Sequence, residues 1–146
     1  MNDSDREYQL RLISASGLTV LDAPTLANIP TIEQAWKVVA GWETVPVATV
    51  GQKTSDALAE LDRQWLAHSS SISLFASDGT ILVNVAGRGC QEAGWTPVKW
   101  SERAQLASKL QRDGDPEFIA MSIDGRRMCA VTTEEYDYWV VAHQFA

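Results

Sequence analysis

The chain has few of the side chains that bind soft metals or form disulfides. Its 146 residues include two cysteines and two histidines, and each of them stands alone in its part of the sequence. A structural zinc site usually has paired ligands at close spacing, and a disulfide scaffold needs several cysteines. The sequence therefore predicts no metal site and no disulfide framework.

Basic residues are in the minority, since 12 lysines and arginines face 19 aspartates and glutamates, which gives a formal net charge of −7. Nucleic acids and anionic membranes bind proteins through clustered positive charge. We therefore expect neither as a partner, and we expect a basic protein to be attracted instead. The same charge also serves simply to keep a small protein soluble.

Long apolar runs are absent too, and none approaches the ~20 residues that a membrane-spanning helix needs. The first residues, Met1–Glu7, are polar and acidic. A secretory signal begins instead with basic residues followed by an apolar stretch. These features predict a cytoplasmic protein.

Motifs for catalysis or cofactor binding are missing. The segment Gly87–Gly89 lacks the further residues of a phosphate-binding or dinucleotide-binding loop, and Asp113–Asp115 lacks the other ligands of a calcium loop. We therefore predict no catalytic residue and no cofactor. Cys90 follows Gly87–Gly89, and whether its thiol is reactive depends on a neighbouring base that the sequence leaves open.

The first half of the chain combines short strands with helices. Alternating apolar residues predict a strand at Tyr8–Ser14 and a second at Leu18–Leu21, ended by Pro24, which together form a hairpin. An edge strand is expected at Val45–Val50, because Pro46 cannot donate to a ladder.

Two helices are predicted around that edge strand. Thr31 and Gln34 have the spacing of a capping box, so a helix begins there and ends near Gly41. The next helix begins at Thr54 or Ser55 and carries an apolar stripe that includes Trp65.

The second half is rich in strands. A hairpin of Ile72–Ala76 and Thr80–Val85 turns at Asp78-Gly79, and a long loop runs from Gly87 to Pro97 before a helix that starts at Ser101. The last part reads as a three-stranded meander whose strands are Phe118–Ile123, Arg127–Thr132 and Tyr136–Ala142.

These elements predict an α+β fold with a mostly antiparallel sheet. The order is a hairpin, a crossover helix and a meander, and the crossover favours a place for the first hairpin strand beside the last meander strand. This arrangement resembles the layout of profilin-like and PAS-like domains. The N-terminal hairpin and helices would pack on this sheet. We expect one domain, 1–146, with 1–68 and 69–146 as possible subdomains; the similar patterns of Leu12–Leu21 and Leu74–Val83 leave a duplication open.

Two of the six tryptophans, Trp95 and Trp100, lie in the connection between the hairpin and the next helix. Large aromatic side chains on a loop are favoured anchors in protein interfaces. The alternative is that the loop folds back over the sheet and buries them.

The meander predicts an acidic rim, because its first and third strands run in the same direction. Six carboxylates precede or open these two strands: Asp113, Asp115, Glu117, Glu134, Glu135 and Asp137. Strands of similar length bring them to one end of the sheet, where they would steer a basic partner. A solvated end of the sheet without a partner is the alternative.

Two functional hypotheses follow. The first is a non-enzymatic protein-binding module, an acidic inhibitor or immunity-type protein that blocks a basic partner protein through the rim and Trp95 or Trp100. The second is a small-ligand sensor or small enzyme with a pocket under the loop 87–100, and Cys90 or His143 near the ligand. A homodimer formed through an exposed sheet edge is a further possibility.

Overall fold

The computed structural model describes residues 3–22 and 28–145. Within them the helices are α1 Asp3–Ala15, α2 Ile32–Val39, α3 Ala57–Ser71, α4 Cys90–Ala93 and α5 Leu106–Lys109. The strands are β1 Thr19–Val20, β2 Ala48–Gly51, β3 Thr80–Val85, β4 Thr96–Lys99, β5 Gln111–Arg112, β6 Asp115–Pro116, β7 Phe118–Met121, β8 Arg127–Thr133 and β9 Asp137–Gln144.

The described strands form a seven-stranded sheet in the order β1-β4-β3-β7-β8-β9-β2, and β5 and β6 form a separate pair. Every pairing is antiparallel. The predicted class, α+β with a mostly antiparallel sheet, is therefore confirmed. The first half of the chain supplies both edge strands, β1 and β2, so it joins the sheet that the second half builds.

The central strands are hydrophobic along nearly their whole length, and successive side chains point to opposite faces, so the sheet buries both of its faces. Helices α1, α3 and α5 cover one face, where Trp65 and Phe118 lie in the core. Helix α2 covers part of the other face with Ile32, Ala35 and Val39. Because α2 is only 8 residues long, one end of that second face extends beyond it.

The three-stranded meander and several local signals agree with the prediction. Strands β7, β8 and β9 are sequential neighbours, and Gly125 turns the first pair with a φ of 73°. Thr31 and Gln34 form the reciprocal capping box of α2. Strand β2 lies at the edge of the sheet. This position was expected, because Pro46, just before the strand, has no backbone N–H to donate to a neighbouring strand.

The predicted N-terminal hairpin is wrong, because Tyr8–Ser14 belongs to helix α1. The buried residues of this segment are Gln9 and Ile13, and the next buried residue is Ser16, directly after α1; this spacing is that of a helix. Gln9 takes a core position because its side-chain amide pairs with both backbone groups of Val85, donating at 2.6 Å and accepting at 2.8 Å. A pattern that counts only apolar residues misses this one. Pro24, the predicted end of the second strand, lies outside the described residues.

The first strand of the predicted hairpin at Ile72–Ala76 is also wrong. Helix α3 runs to Ser71, and Ser73 has a left-handed φ of 57° that prevents a straight strand. Leu74 is buried, and Phe75 packs edge-on against Trp65 at 5.9 Å between ring centroids. The segment thus closes one side of the core instead of pairing.

The observed strand order therefore differs from the predicted profilin-like and PAS-like layout. Strand β3 pairs with β4 and with the first meander strand, β7. The last meander strand, β9, has β2 as its other neighbour. The predicted pairing of the first hairpin strand with the last meander strand is therefore wrong.

The helix predicted from Ser101 is short, since only α5 is helical. Its N-terminus is held by another helix, because the Asp62 carboxylate of α3 accepts a hydrogen bond from the Ala107 amide at 2.9 Å. The connection before it contains α4 and β4, which the sequence presented as a loop.

Candidate ligand pocket

Three adjacent strand ends on the α2 side of the sheet carry Glu117, Thr132 and Trp139. Thr132 of β8 is the direct partner of Trp139 of β9. Glu117 immediately precedes β7, whose first residue, Phe118, pairs with Val131. Glu117 therefore lies beside Thr132, and the three residues form a row across the sheet.

A cavity of about 860 Å³ lies over this row, at the end of the sheet that extends beyond α2. Trp36, Val39 and Trp42 line it from α2 and the residues after it. The segment Gly87–Gln91 lines it from the opposite side. Ligand sites in proteins are usually concave cavities of ~300–1,000 Å³, and this cavity lies in that size range. Its aromatic walls are accompanied by four charged side chains, Arg88, Arg112, Glu117 and Glu134.

Asn84 holds two walls of the pocket in place. It is completely buried in β3, where its carbonyl oxygen accepts a hydrogen bond from the Trp36 indole at 3.3 Å. Its amide donates to the carbonyl oxygens of Cys90 at 2.8 Å and Gly94 at 3.0 Å, the two ends of α4. A polar side chain in the middle of an apolar strand was the available sequence signal for this role.

Glu117 is the most buried carboxylate of the pocket, with 22% of its side chain exposed. Burial raises its pKa above the ordinary value, and the negative charges of Glu134 and Asp115 raise it further. The guanidinium of Arg112, 3.8 Å away, opposes this effect. Loss of hydration is the largest of these effects, so burial destabilises the ionised form of Glu117, and a nearby positive charge would stabilise it.

Glu134 lies at the exposed rim of the pocket. Its carboxylate accepts a hydrogen bond from the Thr132 hydroxyl at 2.8 Å, which turns it toward the row. Among the described residues, the ion pairs join Lys37 to Glu33, Arg63 to Glu60, Arg112 to Glu117 and Arg127 to Asp124, so Glu134 takes part in none.

Three of the six carboxylates of the predicted rim lie together, and the other three lie at separate positions. Asp115, Glu117 and Glu134 lie close enough for their charges to act on one another. Asp113 lies at the tip of the β5–β6 hairpin, with a φ of 51°, and lines a second cavity of about 370 Å³. Glu135 is exposed in the turn between β8 and β9, and Asp137 opens β9 opposite Gly51 of the edge strand β2.

The two tryptophans predicted as anchors lie against the core. Trp95 is 8% exposed, and its indole donates to the Pro30 carbonyl oxygen at 2.8 Å. Trp100 is half-buried and stacks at 5.8 Å on Trp65. The connection therefore folds back over the core, which was the alternative interpretation, and neither residue offers an exposed anchor.

The exposed aromatic side chains of the described residues are those of Trp42, Tyr136 and Tyr8, none of which was predicted as an anchor. Trp42 is 92% exposed at the mouth of the pocket, and Tyr136 is 74% exposed in the turn before β9. The available signal for Trp42 was its place directly after Gly41, beyond the apolar stripe of α2.

Cys90 lines the pocket, whereas His143 does not. His143 pairs with Met128 at the start of β8, which is the opposite end of the sheet from Thr132. Burial raises the pKa of the Cys90 thiol, so the thiol stays protonated and weakly nucleophilic at neutral pH. Among the described residues, no three histidine, cysteine or acidic side chains gather in a way that could hold a metal ion.

No protein-family model, curated protein or solved structure matches the chain significantly. Within residues 3–22 and 28–145, no helix has the length and apolar character required to cross a bilayer.

Proposed function

We propose that this chain is a binding protein that holds a small organic ligand in the pocket over Glu117, Thr132 and Trp139. The observation that carries the proposal is a cavity of about 860 Å³ lined by three tryptophans and two carboxylates. This combination of a large aromatic wall with a few converging polar groups is the usual composition of a ligand site.

The exposure of Trp42 supports the same proposal. Its side chain lies almost entirely in solvent at the mouth of the pocket, where it adds little to the stability of the fold. A large exposed apolar side chain beside a cavity gains free energy when a ligand or a partner covers it. The wall opposite Trp42 is pinned through Asn84, so the cavity is held open before a ligand arrives.

A thermal-shift screen of metabolites tests this proposal. A compound that binds only the folded state raises the melting temperature in proportion to its concentration and affinity. We expect Trp42→Ala to reduce the shift and Tyr136→Ala, a matched exposed aromatic residue outside the pocket, to leave it unchanged. A screen without any specific shift, or hits that Trp42→Ala leaves intact, would count against the pocket.

A second candidate function is the acidic inhibitor or immunity-type protein that acts in the cytoplasm on a basic partner. The observation in its favour is that Glu134 and Glu135 directly precede the exposed Tyr136 in one turn, and that Glu134 lines the same pocket as Trp42. An aromatic side chain surrounded by carboxylates is a suitable contact for a basic protein surface.

A pull-down from a lysate at low and high salt tests the second candidate. We expect a basic protein that is retained at low salt and released at high salt, because exposed charges are screened. The double variant Glu134→Lys with Glu135→Lys should lose it, while Glu33→Lys, a charge reversal on exposed α2, should retain it. Retention by the double variant would argue against this surface.

A further inference from the structure

We infer that the ligand of this pocket is an organic cation, an ammonium group carried on an apolar body. This inference rests on the proposed function and deepens it by naming the chemical class of the ligand. It stands on the juxtaposition of three indole rings with Glu117 and Glu134 around one cavity.

The aromatic walls favour positive charge. The face of an indole ring is the negative end of its quadrupole, and tryptophan is the best aromatic partner for an ammonium group. Trp36 is fixed by the hydrogen bond to Asn84, and Trp139 is fixed by its place in β9. Trp42 is free at the mouth and can close over a ligand.

The carboxylates supply the complementary charge. Glu134 lies at the rim without an ion pair among the described residues, and Glu117 has one ion pair, with the exposed guanidinium of Arg112 at 3.8 Å. Arg112 is in turn paired in register with Asp115 across the β5–β6 hairpin. A bound cation would place a positive charge beside the half-buried Glu117 and the exposed Glu134.

Anions are disfavoured at the same place, although Arg88 and Arg112 also line the cavity. Both arginines face the neighbouring cavity as well, which Asp5 and Asp113 line. Counted over the two cavities, the four acids Asp5, Asp113, Glu117 and Glu134 exceed the two arginines. Within the pocket itself two glutamates equal two arginines, so the preference for a cation over an anion rests on the negative faces of the indole rings and on the acids of the neighbouring cavity.

Three probes of matched shape and different charge test the inference: choline, its neutral isostere 3,3-dimethyl-1-butanol, and the anion 3,3-dimethylbutanoate. Each is titrated against the full chain, with tryptophan fluorescence as the readout. We expect choline to bind saturably and roughly tenfold more tightly than the alcohol, and the anion to bind worst. Added salt should weaken choline binding and leave the alcohol unaffected.

Variants locate the binding. Glu117→Gln should weaken choline binding about tenfold, because it removes the buried charge that the cation contacts. Should that variant fold poorly, Glu134→Gln provides a rim variant with an expected loss of up to about fivefold. Glu135→Gln, which removes an adjacent exposed charge outside the pocket, should change nothing.

The outcomes separate the inference from the proposed function. If the alcohol or the anion binds as tightly as choline or more tightly, the inference that the ligand is a cation is wrong, but the proposal of a ligand pocket still stands. The same holds when none of the three probes binds while another compound gives a thermal shift that Trp42→Ala abolishes. Failure of every compound in both experiments overturns the inference and the proposed function together.

Discussion

The indole N–H of Trp36 donates to the side chain of Asn84, a wholly buried residue that also binds both ends of helix α4. The variant Asn84→Leu removes three hydrogen bonds and leaves the Trp36 indole N–H and the Gly94 carbonyl without a partner, whereas the Cys90 carbonyl keeps the Gly94 amide. An unpaired buried group costs about 1–3 kcal/mol. We expect a loss of roughly 3 kcal/mol in the free energy of unfolding, measured in urea. Trp36→Phe removes only one of these bonds and should cost clearly less; an Asn84→Leu protein as stable as the parent would refute the role of Asn84.

The capping box of α2 gives a second stability prediction. Thr31→Ala removes the acceptor for the Gln34 amide and should lower the free energy of unfolding by about 1 kcal/mol. Gln34→Ala removes the reciprocal bond to the Thr31 amide. Because the two bonds close one motif, the double variant should lose less than the sum of the single variants; simple additivity would mean that the side chains act independently.

The pH dependence of stability follows from Glu117. Its folded-state pKa is raised by burial and by Glu134 and Asp115, against the opposing charge of Arg112. Between the ordinary glutamate value of 4.5 and the raised value, the folded state holds more protons than the unfolded state. The unfolding free energy contributed by Glu117 therefore falls as the pH rises through this window and is constant above it.

The measurement is the difference in unfolding free energy between the parent and Glu117→Gln across this pH window. Burial also raises the pKa of Asp62, but that group is present in both proteins and cancels. We expect the parent to lose stability relative to Glu117→Gln as the pH rises. A difference that grows in favour of the parent would show that pairing with Arg112 outweighs the loss of hydration.

The two cysteines report on the pocket through their reactivity. Burial raises the pKa of Cys129 to about 12, and Cys90 lines the pocket with a pKa that burial also raises. We expect an aromatic disulfide reagent to label Cys90 slowly in the native protein and Cys129 only after unfolding, since the thiolate is the reactive form. A bound ligand should slow the labelling of Cys90. Rapid native labelling of Cys129 would contradict the described core.

The sequence predicts structural features that depend on neighbouring residues, but it does not predict those that depend on contacts between distant parts of the chain. Thr31 with Gln34 fixes the start of α2, and Asp124-Gly125 fixes the turn of the meander, because both depend on residues a few positions apart. Gln9 was misread because its core position depends on a bond to Val85, 76 residues away. Leu74 was misread because an apolar residue fits a strand and a core-closing loop equally well.

The pocket was foreseeable only in part. The parallel courses of β7 and β9 predict that Glu117 and Glu134 lie near each other. The opposite wall depends on how far α2 reaches across the sheet, which no local pattern encodes. Trp95 illustrates the same limit, since its burial depends on a carbonyl oxygen of Pro30, 65 residues away.

The most direct test of the ligand pocket is the set of indole N–H resonances of the six tryptophans, followed by nuclear magnetic resonance during titration with a compound that stabilises the fold. We expect shifts confined to the resonances of Trp36, Trp42 and Trp139, which line the cavity. The resonances of Trp65, Trp95 and Trp100 should stay in place. Shifts in that second group alone, or in none of the six, would contradict a ligand site over Glu117.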